Sequence, residues 1–259
     1  MNHLIKIIPA KEFIKKYKKF PNQEEVWDEI SDLWNEYRKE PFEVVKDFLG
    51  RISSMASSDL KESENSKFPK EKIRIIDLGC GSSRNMIVGD NLEYYGIDIS
   101  LNQLKAAKKH VKEKGINAKF FKFSADNLDK SIFKNEMFDY GLFIATLHCI
   151  EDEKERLNAL YEFYRVLKKG AIGIITVWNS EDSRFNGLIG DTYMSWKKDG
   201  KEYYRYYYLY NKDELMNLLK SIGFKIIQIN DKQTSNKLMT KSLRDRFSKK
   251  NLIIMVKKD

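Results

Sequence analysis

The residues best equipped for chemistry lie close together. Ile75-Ile76-Asp77-Leu78-Gly79-Cys80-Gly81 puts an acid just ahead of a Gly-x-Gly pair, and a second acid, Asp98, follows twenty-one residues after the first. Glycines at alternate positions let a backbone turn sharply at a strand end and approach a ligand closely. An acid about twenty residues further on, at the end of the next strand, can accept hydrogen bonds from two ribose hydroxyls. A dinucleotide fingerprint would need a third glycine where Arg84 stands. A pyrophosphate would also gain nothing from Asp77, whereas a ligand bearing an ammonium group would. The pattern therefore disfavours a nicotinamide oxidoreductase and favours a nucleoside ligand with a cationic end.

The elements that must position these residues alternate. Lys72–Leu78, Tyr94–Ile99, Lys119–Phe123, Phe138–Ile144 and Ala171–Trp178 read as strands, with Phe224–Ile229 and Leu252–Val256 as late ones. Apolar residues at helical spacing predict helices over Glu24–Tyr37, from Pro41 onward, and over Leu101–Lys114, Glu153–Leu167 and Asn211–Ser221. Ser53–Lys70 is polar and reads as a loop. Strands alternating with helices predict an α/β fold, a mostly parallel seven-stranded sheet with helices on both faces and an antiparallel strand at one edge. The expected division is an N-terminal helical cap and polar loop, 1–70, ahead of a domain over 71–259 with a substrate-side insertion at 180–210.

The constellation resembles the class I S-adenosylmethionine-dependent methyltransferases over roughly Lys72 to Val256, which implies a Rossmann-like fold with S-adenosylmethionine as cofactor. The family's acid-x-Gly-x-Gly turn falls on Asp77, Gly79 and Gly81, with Ser83 at its third glycine, and its ribose acid falls on Asp98. Its adenine loop resembles Phe123–Leu128, where Ser124 stands at the usual aspartate. Either Ser124 or Asp126 can then meet the adenine amine. Cys80, Ile99, Ala125 and Ala145 complete the implied cofactor set.

Four further segments look like the family that methylates the carboxylate of 5-carboxymethyluridine at the tRNA wobble position. They are Val26–Ile30 leading to Arg38-Lys39-Glu40-Pro41-Phe42, then Ala145–Ile150 around His148, then Val177-Trp178, and last Tyr193–Lys197 leading to Arg205–Tyr210. Cys149, Ser195 and Tyr208 replace a family histidine, proline and histidine. The resemblance implies Arg38, His148 and Arg205 as the residues that orient the acceptor. It also implies the tRNA anticodon loop as substrate and a small zinc-binding activator subunit as partner. A carboxylate is already ionised at neutral pH and needs no general base; it needs in-line placement and a cationic fork. Two other readings stay open: methyl transfer to a small molecule or lipid, and an RNA-binding homologue without turnover.

Composition agrees without deciding. The 259 residues carry 47 Lys+Arg against 38 Asp+Glu, a formal charge of +9, and 42% are hydrophobic. Of the 47, ten are arginine. The excess suits a nucleic-acid partner, but lysine can also follow base composition. Lysines in Lys6–Lys19 and Lys241–Lys258 could contact phosphates. Tyr204, Tyr206 and Tyr208, alternating on a strand, could stack unpaired bases. Phe120, Phe121 and Phe123 offer either a docking edge or core. No apolar run reaches the ~18 residues of a membrane span. Two cysteines rule out a disulfide framework, no zinc cluster is spelled out, and the expected compartment is the cytoplasm.

Overall fold

The computed structural model describes residues 5–61, 72–229 and 250–259. The main sheet has seven strands in the order β4-β3-β2-β5-β6-β10-β9. These are β2 (Ile73–Leu78), β3 (Leu92–Asp98), β4 (Ala118–Lys122), β5 (Phe138–Ile144), β6 (Leu167–Trp178), β9 (Phe224–Ile229) and β10 (Asn251–Lys258). Pairings β2–β3, β3–β4, β2–β5 and β5–β6 are parallel, while β10 runs antiparallel to both β6 and β9. The order reverses at β2, so the crevice beyond the carboxyl ends of β2 and β3 is where such sheets bind ligands.

Helices cover both faces. α3 (Glu43–Lys61) and α4 (Leu101–Lys114) pack Val45, Leu49, Leu104 and Val111 against one face. α5 (Glu153–Val166) and α6 (Lys212–Ile222) pack Leu160, Phe163, Leu215 and Leu219 against the other. The caps that end these helices are local. Ser100 Oγ accepts from Gln103 N to start α4, and Gly115, in the left-handed region, closes it. Asp152 and Asn211 start α5 and α6 in the same way.

Two expectations change. α3 continues to Lys61, so the first half of the predicted Ser53–Lys70 loop is helical. Residues 53–61 are polar but contain no glycine or proline, and polarity alone does not break a helix. The remainder of that loop lies outside the described residues. β6 also starts at Leu167, before Gly170 rather than after it. Leu167 pairs with Phe138, and the register slips before Tyr140 pairs with Ile172; Gly170, at φ +81°, absorbs the extra residues.

A second sheet, not foreseen, joins the chain's two ends of the cap region. β1 (Ile7–Pro9) pairs antiparallel with β7 (Gly190–Lys198), which pairs antiparallel with β8 (Lys201–Leu209). α1 (Ala10–Tyr17) stacks Phe13 on Tyr193, 4.1 Å between ring centroids. α2 (Gln23–Glu36) lies between this sheet and α4. Asp28 holds it there, accepting hydrogen bonds from Ser100 Oγ and from Asn102 N. Lys122–Glu24 and Lys198–Asp32 ion pairs, at 2.6 and 2.7 Å, fasten its two ends. Among the described residues no helix is long and apolar enough to cross a membrane.

The central strands approach α5 closely because Gly141 and Gly173 face each other across β5 and β6. A Cβ on Gly141 would lie 2.5 Å from the Phe163 ring, and one on Gly173 2.9 Å from it. Gly141→Ala is expected to destabilise the protein by about 1–3 kcal/mol through overpacking, measured by denaturant unfolding. Phe163→Leu in the same chain should recover part of that loss, because the clash is with the ring.

Candidate functional site

β2 ends at Leu78, one residue after Asp77, and the chain turns at once. Gly79 and Gly81 have φ of +70° and +53°, a region open to glycine without strain. The turn is fastened by Gly79 N and Cys80 N, which both donate to the Ile97 carbonyl, at 2.7 and 2.9 Å. A Cβ on Gly79 would sit 2.2 Å from the Thr146 side chain, so only glycine lets the segment after β5 come this near. Asp98, ending β3, accepts from Gly81 N at 2.8 Å and from Ser100 N at 2.9 Å. These two bonds set the spacing between the turn and the start of α4.

Asp77 lies beneath the turn, 1% exposed, and neither carboxylate oxygen has a hydrogen-bond partner. Burial pushes its pKa up to about 7; the Asp98 charge adds to the rise and Arg84 opposes it. Burial likewise raises Asp98 to about 6, against the two backbone bonds. The Cys80 thiol is pushed up by burial and by both acids, and is not a thiolate nucleophile.

Above the turn is a cavity of about 290 Å³. Nine of the anticipated residues line it: Gly79, Cys80, Gly81, Asp98, Ile99, Ser124, Ala125, Ala145 and Arg38. Four do not. Asp77 is under its floor. Asp126 turns away and accepts from Ser124 Oγ, so Ser124 faces the cavity and Asp126 holds it. His148 and Arg205 lie behind the wall, 1% and 2% exposed.

Those two belong to an aromatic stack. His148 sits 5.3 Å from Trp178 and 5.5 Å from Tyr207, with Nδ1 unpartnered. Burial lowers its pKa to about 3, so it is neutral at physiological pH and contributes no charge. Arg205 is boxed by Trp27, Trp34, Trp196 and Tyr207 at 5.9, 5.0, 4.8 and 5.3 Å. Its Nη1 donates to Tyr207 Oη at 2.7 Å, and its Nε has no partner. Arg38 lies on the cavity side of the same Trp34, 4.7 Å from the ring. Burial lowers its pKa, and Arg205 and Arg184 nearby lower it further.

Several lining residues escaped the sequence reading. Trp27 and Trp34 fit the helical pattern of a core face, yet they line the cavity together with Gln23, Asn35, Arg84, Gln103 and Glu151. Arg84 follows the turn directly, which was the available signal. Tyr204, Tyr206 and Tyr208, the candidate stacking residues, do not line the cavity. Their hydroxyls are engaged by Glu202, Asp191 and Glu214, which packs them against the cap instead. Aromatic faces in the cavity come from Trp27, Trp34 and Phe123.

The donor set fits S-adenosylmethionine. Asp77, Ser83 Oγ and Gln103 Oε1 are buried polar groups without partners around the turn, suited to an amino-acid end. Asp98 would accept from ribose hydroxyls, and Ile99, Ser124 and Ala125, which line the cavity with it, would border the adenine. The cofactor supplies, when bound, an electrophilic methyl on a sulfonium. Asp77, beneath the floor, would attract an ammonium group only when ionised. Affinity for S-adenosylhomocysteine should therefore fall as pH drops below about 7, by up to about tenfold per pH unit for each acid that must ionise. Asp98 should join in below about pH 6. Calorimetric titration between pH 5.5 and 8.5 checks this, and Asp77→Asn should remove the upper of the two steps.

Comparison with known proteins agrees with this geometry. Residues 69–240 match the family described as a methyltransferase domain. A tRNA (carboxymethyluridine(34)-5-O)-methyltransferase of Schizosaccharomyces pombe is 23% identical over 237 residues, covering 79% of this chain and 89% of that one. The protein of the same name from Saccharomyces cerevisiae is 24% identical over 176 residues, covering 66% of this chain and 54% of its own length. A solved S-adenosylmethionine-dependent methyltransferase from Clostridium acetobutylicum superposes with a TM-score of 0.61 at 15% identity, over 90% of this chain and 98% of that one. The turn, the ribose acid, the sheet order and the family match agree: the chain belongs to the methyltransferase domain family and is an S-adenosylmethionine-dependent enzyme of the class I, Rossmann-like fold.

Proposed function

We propose that the protein transfers the methyl group of S-adenosylmethionine to the carboxylate of 5-carboxymethyluridine at the wobble position of tRNA, forming the methyl ester. The observation that carries this reading is the wall formed by the end of α2 and the turn after β2. Trp34, Asn35, Arg38, Arg84 and Asn85 line it, without a carboxylate or a histidine among them. That wall itself offers an acceptor no general base; Glu151 and Glu155 line other parts of the same cavity. The wall does offer guanidinium groups, whose planar fork matches a carboxylate. The names and identities of the two yeast relatives support tRNA as the carrier.

In this reading Arg38 touches the acceptor carboxylate and sets it in line with the sulfonium. The acceptor carboxylate is already an anion, so no residue of the chain would have to move a proton when the bound cofactor supplies its methyl group. Arg205 acts through Trp34: it fixes the indole on which Arg38 rests and adds positive potential behind it. His148 fixes Tyr207, which takes the Arg205 hydrogen bond. These two are positioning residues. Exposed Lys11, Lys15, Lys16, Lys18 and Lys19, on and just after α1, are placed to meet phosphates. Lys258 is not: it is buried and donates to the Leu167 carbonyl, and 241–249 lie outside the described residues. As β9 pairs with β10 alone, so β4 pairs with β3 alone, and β4 is one edge strand open to a zinc-binding activator. Phe121 and Phe123 there turn inward onto Phe133, and Phe120 packs on the other core.

Mass spectrometry of nucleosides from carboxymethylated tRNA, incubated with the protein and cofactor, tests the proposal. The expected product is a methyl ester that alkali removes. Arg38→Gln should lower kcat/KM about a hundredfold, as for loss of a desolvated charge pair of ~2–3 kcal/mol. No ester, with and without an activator, sinks the substrate assignment. Equal rates on free small carboxylates would replace tRNA with a small-molecule acceptor.

A further inference from the structure

Two arginines line the cavity, Arg38 and Arg84, and among the described residues neither pairs with a carboxylate. Other arginines that are partly covered do pair, Arg165 with Glu162 and Arg184 with Asp182. A guanidinium held against a cavity without a counter-charge is unfavourable unless a ligand provides one. The cofactor and the proposed acceptor each bring one carboxylate. We infer that Arg84 holds the carboxylate of the cofactor's amino-acid end, which leaves Arg38 to the methyl acceptor; the second half of this assignment rests on the function proposed above, and the first does not.

The placement of Arg84 carries the argument. It follows Ser83, whose φ of +63° bends the backbone a third time after Gly79 and Gly81. Its side chain is anchored by neutral groups: Nη1 donates to the Glu40 carbonyl at 3.0 Å, and Cζ lies 5.9 Å from the Phe42 ring. Asn85 Oδ1 accepts from Phe42 N at 2.9 Å and clamps the same loop to the turn. Guanidinium has five N–H donors, so this anchor leaves a fork for a ligand.

At the foot of the same turn is Asp77, a buried carboxylate with both oxygens unpartnered. An α-amino acid carries its ammonium and its carboxylate on one carbon. An orphaned carboxylate and an unpaired guanidinium on one turn complement both charges. Electrostatics separates the two arginines. Asp77 feels Arg84, whereas Arg38 feels Arg205, Arg184 and Tyr207, on the aromatic side. Arg84 feels both Asp77 and Arg38, and although burial lowers its pKa to about 10, it remains cationic at neutral pH.

The test compares two ligands by calorimetry: S-adenosylhomocysteine and its decarboxylated analogue, S-adenosyl-3-thiopropylamine. The wild-type protein should bind the first at least about tenfold tighter, as expected for a charge-assisted fork. Arg84→Gln should cut that ratio to about threefold or less by weakening S-adenosylhomocysteine alone. Arg84→Lys should give an intermediate ratio, since it keeps charge without the fork, and it serves if the glutamine variant does not fold. Arg38→Gln should keep the wild-type ratio. A wild-type ratio near one, an unchanged ratio in both Arg84 variants, or a ratio lost in Arg38→Gln overturns the inference. Failure of the tRNA assay with the ratio pattern intact overturns the substrate and not the role of Arg84.

Discussion

The structure depends on two carboxylates at the ends of adjacent strands, Asp77 buried and Asp98 half-buried at the cavity. Asp77 and Asp98 repel each other across one turn, and burial raises both. Such a pair is unfavourable in an empty protein. It persists because the turn between the acids is fixed from three directions: the Ile97 carbonyl beneath, the Asp98 carboxylate at its side, and Thr146 packed against Gly79. The strand ends, the left-handed glycines and the segment after β5 thus form one unit. Its unsatisfied polarity, acceptors without donors, is complementary to an ammonium group and to ribose hydroxyls.

The other half of the cavity is built from chain remote in sequence. α2 crosses from the hairpin of β7 and β8 to the start of α4, and Asp28 bonds to Ser100 and Asn102, just after the ribose acid. The helix that presents Trp27, Trp34 and, just beyond its end, Arg38 is therefore referenced to the cofactor side by its own carboxylate. Transfer between a sulfonium and a bound nucleophile tolerates little misalignment. A latch from α2 to the start of α4 is the kind of constraint that meets this demand.

The legible parts of the sequence were those governed by short-range rules. The Gly79–Gly81 turn, Asp98 and the strand–helix alternation depend on local backbone preference and periodicity. The caps at Ser100, Asn211 and Gly223 are equally local. Arg84 was read only as a missing third glycine, because its meaning requires knowing that Asp77 is buried without a partner. Trp27 and Trp34 have the spacing of a core face, and only the hairpin's position decides that this face borders a cavity. The tyrosines of β8 alternate as expected, but Glu202, Asp191 and Glu214 meet their hydroxyls. Arg205 was expected to orient the acceptor, and four aromatic rings cover it. Each case turns on contacts between distant segments, which residue type and spacing do not encode.

The distribution of the cations follows from the same physics. Lysine makes up most of the positive charge, and an ammonium is strongly hydrated, so it stays outside, as on α1. Guanidinium is more weakly hydrated and stacks on aromatic faces. That is why Arg38 and Arg205 can both lie against Trp34, one beside the cavity and one enclosed. His148, neutral in its stack, adds shape without charge. The segment of the cavity formed by Trp34, Asn35, Arg38, Arg84 and Asn85 is then cationic without a carboxylate of its own, while Glu151 and Glu155 line other parts of the cavity. Lysine thus supplies most of the positive charge at the surface, whereas Arg38 beside the cavity and Arg205 behind its wall owe their place to their aromatic supports.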